Sequence, residues 1–188
     1  MSIIAISGRK RSGKDTIANY LIDKHKFKRY GFADPIRATA KLVFGWTEDW
    51  IVNHKEEIDP YWDISYRQFA QDFGTEYMQF GLPSRFPKFK EQNGRQFWVK
   101  RFLRMYNQES IKSNWVLSDC RFPHETIPIK KHGGIVIRVV RPDHEDKSDL
   151  HASEIEQDSI VPDYTLINNA SIEDLQNAVS EILKHYEK

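Results

Sequence analysis

The stretch Ser7-Gly8-Arg9-Lys10-Arg11-Ser12-Gly13-Lys14-Asp15-Thr16 (SGRKRSGKDT, residues 7–16) decides the fold of this chain. Before it, residues 2–7 (SIIAIS) are short, apolar and β-prone, and the run stops at a glycine, as a buried strand does. After it, Ile17, Ala18, Leu21 and Ile22 recur at helical spacing from Lys14 to about His25. Gly8, four residues and then Gly13-Lys14 satisfy G-x-x-x-x-G-K inside a strand–loop–helix unit, the context in which that pattern has a physical meaning. Polyphosphate oxygens need several N–H donors converging in a tight loop, and glycines let the backbone come close. The helix that follows offers its unpaired N–H groups and the positive end of its dipole. Gly8, Ser12 and Gly13 build such a cradle, Lys14 adds charge for β- and γ-phosphates, and Arg9, Lys10 and Arg11 add cations.

The position after the lysine usually carries a hydroxyl that holds magnesium, but here it is Asp15, followed by Thr16. Two readings of Asp15 stand: a Mg²⁺ ligand, directly or through water, or a first-turn acid that favours the helix dipole. Thr16 supplies a hydroxyl within reach of a phosphate. A second acid, Asp119, closes the strand-like run 114–119 (NWVLSD), where open α/β sheets bind ligands. It is either a second Mg²⁺ site or an ordinary cap of the next element. Arg121 and Arg141 lie at strand ends and supply the positive charge that phosphoryl transfer asks of a protein. By alternation Arg138 shares a face with Val136 and Val140, which fits a buried salt bridge. Cys120 reads as a small buried filler, and the histidines show no zinc-ligand spacing.

Further strands are expected at 27–32, 133–142 and 163–168. Helices are expected from Pro35 to Gly45, over 65–80 with Ser65 as cap, over 96–111, and from Ser171 with Asp174 completing a capping box. Residues 46–63 read as loop with a short helix, and 81–95 as an exposed basic excursion. About five strands alternating with helices imply an α/β domain of three layers around a parallel sheet. The expected organisation is a core of 1–45 and 112–188, a helical substrate-side insert of about 46–111 and a lid of about 142–153 in which His151 and Glu154 form either a latch or an ordinary helix start. The chain has 188 residues and a net charge of +1, which argues against a globally basic nucleic-acid binder. One cysteine and no long apolar run point to a cytoplasmic protein with no membrane span.

The ordered set GRKRSGKDT, FADPIR, RQFAQDFGTE, FWVKRF, SDCRFPHE, VIRVVRP, HASE and IEDL resembles the phage-type deoxynucleoside monophosphate kinases, a branch of the P-loop nucleoside monophosphate kinases. The aspartate of Gly-Lys-Asp-Thr is a habit of that branch. The resemblance implies ATP and Mg²⁺, a deoxynucleoside monophosphate acceptor, and the cytoplasm of a bacterial host if the chain is phage-encoded. It implies that Lys10, Arg11, Gly13, Lys14, Asp15 and Thr16 meet ATP, with Arg121 and Arg141 neutralising the moving phosphoryl. Asp34 of FADPIR would border the acceptor pocket and Arg37 would meet its phosphate. Arg67, Gln71 and Glu76 would wall it: Arg67 and Gln71 share a helix face and Glu76 is one step around. Trp98 would pack on the base, or serve as ordinary core. The chain departs from the pattern at Gln79, where the family carries arginine; Arg85 and Arg95 are the candidates to replace that charge. The alternatives are another small-molecule kinase of phosphomevalonate or dephospho-coenzyme A type, or an ATP-switched protein binding nucleic acid through the basic, aromatic stretch 85–104. The near-neutral total charge argues against stable nucleic-acid binding, and oligomeric state, homodimer included, stays open.

Overall fold

The structure is a computed structural model describing residues 2–109, 113–142 and 156–186. In chain order it contains β1 (Ile3–Ser7), α1 (Lys14–His25), β2 (Lys28–Tyr30), α2 (Asp34–Phe44), α3 (Glu48–Asn53), β3 (Ile58–Asp59) and β4 (Ile64–Ser65). There follow α4 (Tyr66–Gln71), a π-helical turn over Asp72–Gly81, α5 (Leu82–Arg85), α6 (Pro87–Gln92) and α7 (Phe97–Gln108). The last elements are β5 (Trp115–Leu117), α8 (Pro123–Lys131), β6 (Ile135–Val140), β7 (Tyr164–Ile167) and α9 (Ile172–Tyr186). The chain divides into two compact units, the first made of Met1–Gly31 with Phe102–Lys188 and the second of Phe32–Arg101.

The first unit is built on a five-stranded sheet in the order β2-β5-β1-β6-β7, with every neighbouring pair parallel. Parallel strands need crossovers that place helices over the sheet, so the inner strands are predominantly apolar, with Ser7 of β1 and Arg138 of β6 the polar residues among them. Ile3 to Ile6 of β1 are essentially inaccessible to solvent. Strand alternation sends Ile4 and Ile6 of β1, Val116 of β5, and Ile137 and Val139 of β6 to one face. There they pack against Ile17, Ala18 and Leu21 of α1 and Leu175, Val179 and Ile182 of α9. The Tyr20 and Ser180 hydroxyls join α1 to α9 at 2.7 Å. Ile3, Ala5, Leu117 and Val136 are just as buried and belong to the opposite face.

The second unit is held by an aromatic cluster. Ala40, Trp46, Ile51 and Tyr66 are buried, with Phe44 and Phe69 packed on them. Phe44 stacks on Trp46 with centroids 4.4 Å apart. The Trp46 indole N–H donates to Asp59 at 2.6 Å, tying down the β3–β4 hairpin and holding that carboxyl below the usual carboxylate range.

Several expectations change in detail. Ser65 does cap α4, in a reciprocal box with Gln68. The expected helix over 65–80 turns π-helical from Asp72, and the Leu82 N–H reaches Tyr77 O, five residues back. Gly74 inside it is a packing device: a Cβ there would lie 2.5 Å from Ile36 Cδ1. Residues 81–95, expected as an exposed basic excursion, are largely exposed and form α5, α6 and a 3₁₀ turn at Gly94–Gln96. Helix α8 has no counterpart among the sequence expectations. Its two prolines hide it: Pro123 sits in the first turn, where no intrahelical N–H is needed, and Pro128 lies inside.

Candidate active site

A parallel sheet places the carboxyl ends of all its strands along one edge, and the candidate donor-side residues leave the first unit there. β1 runs into the glycine loop. On one side of it β5 leads to Asp119 and Arg121; on the other, β6 leads to Arg141 and, beyond it, β7 leads to Asn168. The Cys120 N–H donates to Ile6 O at 3.2 Å, holding the turn after β5 against β1.

The loop itself is built without side chains where space is shortest. Gly8 has φ +146°, and a Cβ there would fall 2.4 Å from Val139 O and 2.7 Å from Ser12 Oγ. Gly13 has φ +107°, and its Cβ would meet Asn168 Nδ2 at 2.5 Å. The Ser12 N–H closes the turn on Arg9 O at 3.2 Å. Ser12 is buried, yet its hydroxyl has no hydrogen-bond partner among the described residues. Lys14 folds back over the loop, with Nζ donating to Gly8 O at 2.5 Å and Arg9 O at 2.7 Å. Arg9 pairs with Asp158 at 2.9 Å, and Lys10 and Arg11 are exposed.

Beside the loop lies a cavity of about 400 Å³. It is lined by Arg11, Gly13, Lys14, Asp15, Thr16 and Arg141, and by Asn168, Ala170, Ile172 and Leu175 from the β7–α9 turn and α9. These last four were not foreseen as site residues: Asn168 closes the strand expected at 163–168, Ile172 and Leu175 belong to the helix expected from Ser171, and nothing local says that they border the phosphate loop. Asp119 and Arg121 do not line this cavity. Asp119 is half-buried and Arg121 exposed on the β5 side. The backbone between them is pinned by Glu125, whose Oε2 accepts from the Arg121 N–H at 2.8 Å and the Phe122 N–H at 3.0 Å. Burial pushes the Glu125 carboxyl up to about 8; the Arg121 N–H opposes this and the Asp119 charge adds to it. Burial also raises the Cys120 thiol well above its ordinary range, as befits an inert filler.

Arg138 is not the buried salt bridge expected of it. Its Nη2 donates to the carbonyls of Gln157 and Ile160, clamping main chain. His151, Glu154 and all but the first residue of the lid expected at 142–153 lie outside the described residues.

The expected acceptor-side residues belong to the second unit. Arg37 pairs with Glu48 at 2.8 Å and bonds the Tyr66 hydroxyl, while Arg67 pairs with Glu56 at 2.9 Å. Asp34 and Gln71 are half-buried and Glu76 is exposed. Trp98 takes the packing role offered as its alternative: it is 5% exposed, its indole N–H donates to Gly74 O at 2.8 Å, and Phe97 meets its ring edge-on. A ring so enclosed has no face left for a base. Gln79 is also buried, with Oε1 unpartnered. Arg85 is exposed, and Arg95 lies over the Phe80 ring at 5.0 Å.

The residues present fit a nucleoside triphosphate. The two glycines leave the loop backbone bare of side chains, the Ser12 hydroxyl has no partner among the described residues, and Lys14, Arg11 and Arg141 border one cavity. Among the described residues no group of three or more His, Cys, Asp or Glu side chains is placed to hold a metal alone. Mg²⁺ takes one or two carboxylates and completes its shell with phosphate oxygens and water. Asp15, Thr16 and Asp119 are its candidate partners. No helix among the described residues is long and apolar enough to cross a membrane.

Comparison with known proteins agrees. The family model described as "Deoxynucleotide monophosphate kinase" matches residues 2–58 and 47–179. A protein of Acanthamoeba polyphaga mimivirus, named "Putative deoxynucleotide monophosphate kinase", is 31% identical over 187 residues, covering 95% of this chain and 94% of its own. The "Deoxynucleotide monophosphate kinase" of Escherichia phage RB69 is 35% identical over 69 residues, covering 37% of this chain and 26% of its own. Among solved structures, a "putative kinase" from Chloroflexus aurantiacus superposes with a TM-score of 0.51 at 11% identity, over 98% of this chain and 96% of its own, a likeness of fold alone. With a strand–glycine loop–helix unit at the centre of a parallel sheet and a family match along nearly its whole length, this chain belongs to the deoxynucleotide monophosphate kinase family.

Proposed function

We propose that this protein transfers the γ-phosphoryl group of ATP to the phosphate of a deoxynucleoside monophosphate, releasing ADP and the deoxynucleoside diphosphate. The observation that carries this reading is the loop after β1. Its glycines stand where any side chain would collide, and it encloses an unpartnered serine hydroxyl beside a cavity bordered by cations.

In this reading the loop amides, Ser12 and Thr16 grip the triphosphate, with Lys10 and Arg11 adding charge from the rim. Lys14 exchanges its bonds to Gly8 O and Arg9 O for β- and γ-phosphate oxygens. Those two carbonyls hold the ammonium over the loop beforehand, so little reorganisation is needed when phosphate arrives. Arg141, in the donor cavity, and Arg121, beyond β5, neutralise charge on the transferring group. Asp15 and Asp119 are the carboxylates that would hold Mg²⁺ or its water, and the ion would supply positive charge against that of the phosphates. Asp34, Arg37, Arg67, Gln71 and Glu76 are the acceptor-side residues. Arg37 and Arg67 each hold a half-exposed glutamate, a surface pair of modest strength that a phosphate can displace. A reducing cytoplasm suits the single buried thiol.

The test is ATP consumption against each deoxynucleoside monophosphate and its ribose counterpart, with mevalonate phosphate and dephospho-coenzyme A as controls. Turnover on at least one deoxynucleotide is expected. Turnover on a control and on no nucleotide overturns the proposal.

A further inference from the structure

The β7–α9 turn makes one contact that the family reading does not use. The Asn168 N–H donates to Val140 O at 2.7 Å, which carries the β6–β7 pairing one residue past the strand and fixes Asn168 at the sheet edge. From there its side chain crosses to the phosphate loop, where Nδ2 donates to Ser12 O at 2.8 Å. Gly13 passes close to that amide: a Cβ there would fall 2.5 Å from Asn168 Nδ2. Asn168 also lines the cavity shared by Lys14, Thr16 and Arg141.

The Ser12–Gly13 peptide is planar and trans, so its C=O and N–H point in opposite directions. Holding Ser12 O on one side therefore sets the direction of the Gly13 N–H on the other. This is one of the amides a phosphate would use, and it finds no acceptor among the described residues. We propose that Asn168 is a positioning residue of the donor site: by anchoring the Ser12 carbonyl it presets the Gly13 N–H for a phosphate oxygen. This rests on reading the loop as the triphosphate cradle. Aspartate has the same shape but no N–H, and it would set a carboxylate against both the Ser12 carbonyl and the incoming phosphates.

The experiment compares wild type with Asn168→Ala, Asn168→Asp and Lys14→Ala. It uses steady-state kinetics with each substrate varied, calorimetric titration of ATP, and thermal melting. For Asn168→Ala the expected rise in KM for ATP is about tenfold, the loss of one well-placed hydrogen bond. For Asn168→Asp it is about a hundredfold, since a charge is added. The KM for the deoxynucleotide should stay within about twofold, and melting within a few degrees. An unchanged KM for ATP in both variants overturns the proposal. So does a parallel rise of both KM values with a fall in melting temperature, which marks a merely structural role. If either variant fails to fold, the other decides, and failure of both is the structural result. Wild type that binds no ATP, or Lys14→Ala that binds it fully, would instead refute the cradle; loss of binding in Lys14→Ala alone refutes only the role of Asn168.

Discussion

Gly8→Ala is the sharpest perturbation of the phosphate loop, and its size follows from two local facts. The residue sits at φ +146°, a region L-residues avoid, and the new Cβ would lie 2.4 Å from Val139 O, a main-chain atom of β6, the strand beside β1. Backbone strain of this kind costs about 1–3 kcal/mol. Forcing a methyl into a filled site adds about 1–3 kcal/mol, because strand backbone cannot swing aside as a flexible side chain can. Together, ~2–6 kcal/mol is a large part of the ~5–15 kcal/mol that holds a typical domain folded. For a chain of this length it corresponds to a fall in Tm of ~5–20 °C. Gly45→Ala is the internal control: its φ is +71° but no atom of the described residues lies within 4 Å of the new atom, so strain alone should act. That predicts about 1–2 kcal/mol. The assay is thermal unfolding of both variants with and without ATP and magnesium. Saturation to a hundredfold above Kd stabilises wild type by about 2.7 kcal/mol, an increment that Gly45→Ala should keep and Gly8→Ala should lose. Gly8→Ala that melts with Gly45→Ala and retains the ATP shift would refute the reasoning, since the loop would then neither be tight nor hold phosphate.

Lys14→Ala should lower kcat by about a hundredfold or more, the scale set by removing one preorganised charge from a developing negative centre, as initial rates at saturating substrate would read. Asp15→Asn should raise the magnesium concentration needed for half-maximal rate while leaving the melting curve unchanged; an unaltered magnesium titration would assign Asp15 to the helix dipole instead. Arg121→Ala should reduce kcat far more than it raises the KM for ATP, and equal losses would make it a ground-state binder. Glu125, with an ordinary value of 4.5, is raised to about 8 in the folded protein, which thus keeps a proton the unfolded chain releases. Its contribution to stability is therefore largest at low pH and declines as pH rises from about 4.5 to about 8. Glu125→Gln keeps the acceptor for the Arg121 and Phe122 N–H groups and should remove that decline, so denaturant midpoints of variant and wild type should diverge towards pH 8. Parallel midpoint profiles would contradict it.

Local order was readable wherever chemistry and periodicity coincide. Ile3 to Ser7 stopping at Gly8, the stripe of α1, the cap at Ser65, the capping box at Ser171 and a strand within the β-branched run 133–142 all appear as the residues alone suggest. Helix α8 escaped because its prolines argue against a helix by propensity, while packing of Ile129 and the reach of Glu125 outweigh them. Trp98 could be read either way because helical spacing is the same for a core aromatic and a base platform.

A run of ten residues was enough to specify a phosphate-gripping turn, since glycine spacing, a lysine and flanking periodicity are local properties of the chain. Which distant residues surround that turn was not local. Asn168 reaches Ser12 across a sequence separation of 156, and Arg141 shares a cavity with Lys14, because strand order and parallel register bring unrelated strand ends to one edge. Contacts of that kind arise from how the sheet assembles, and no window of neighbouring residues carries them.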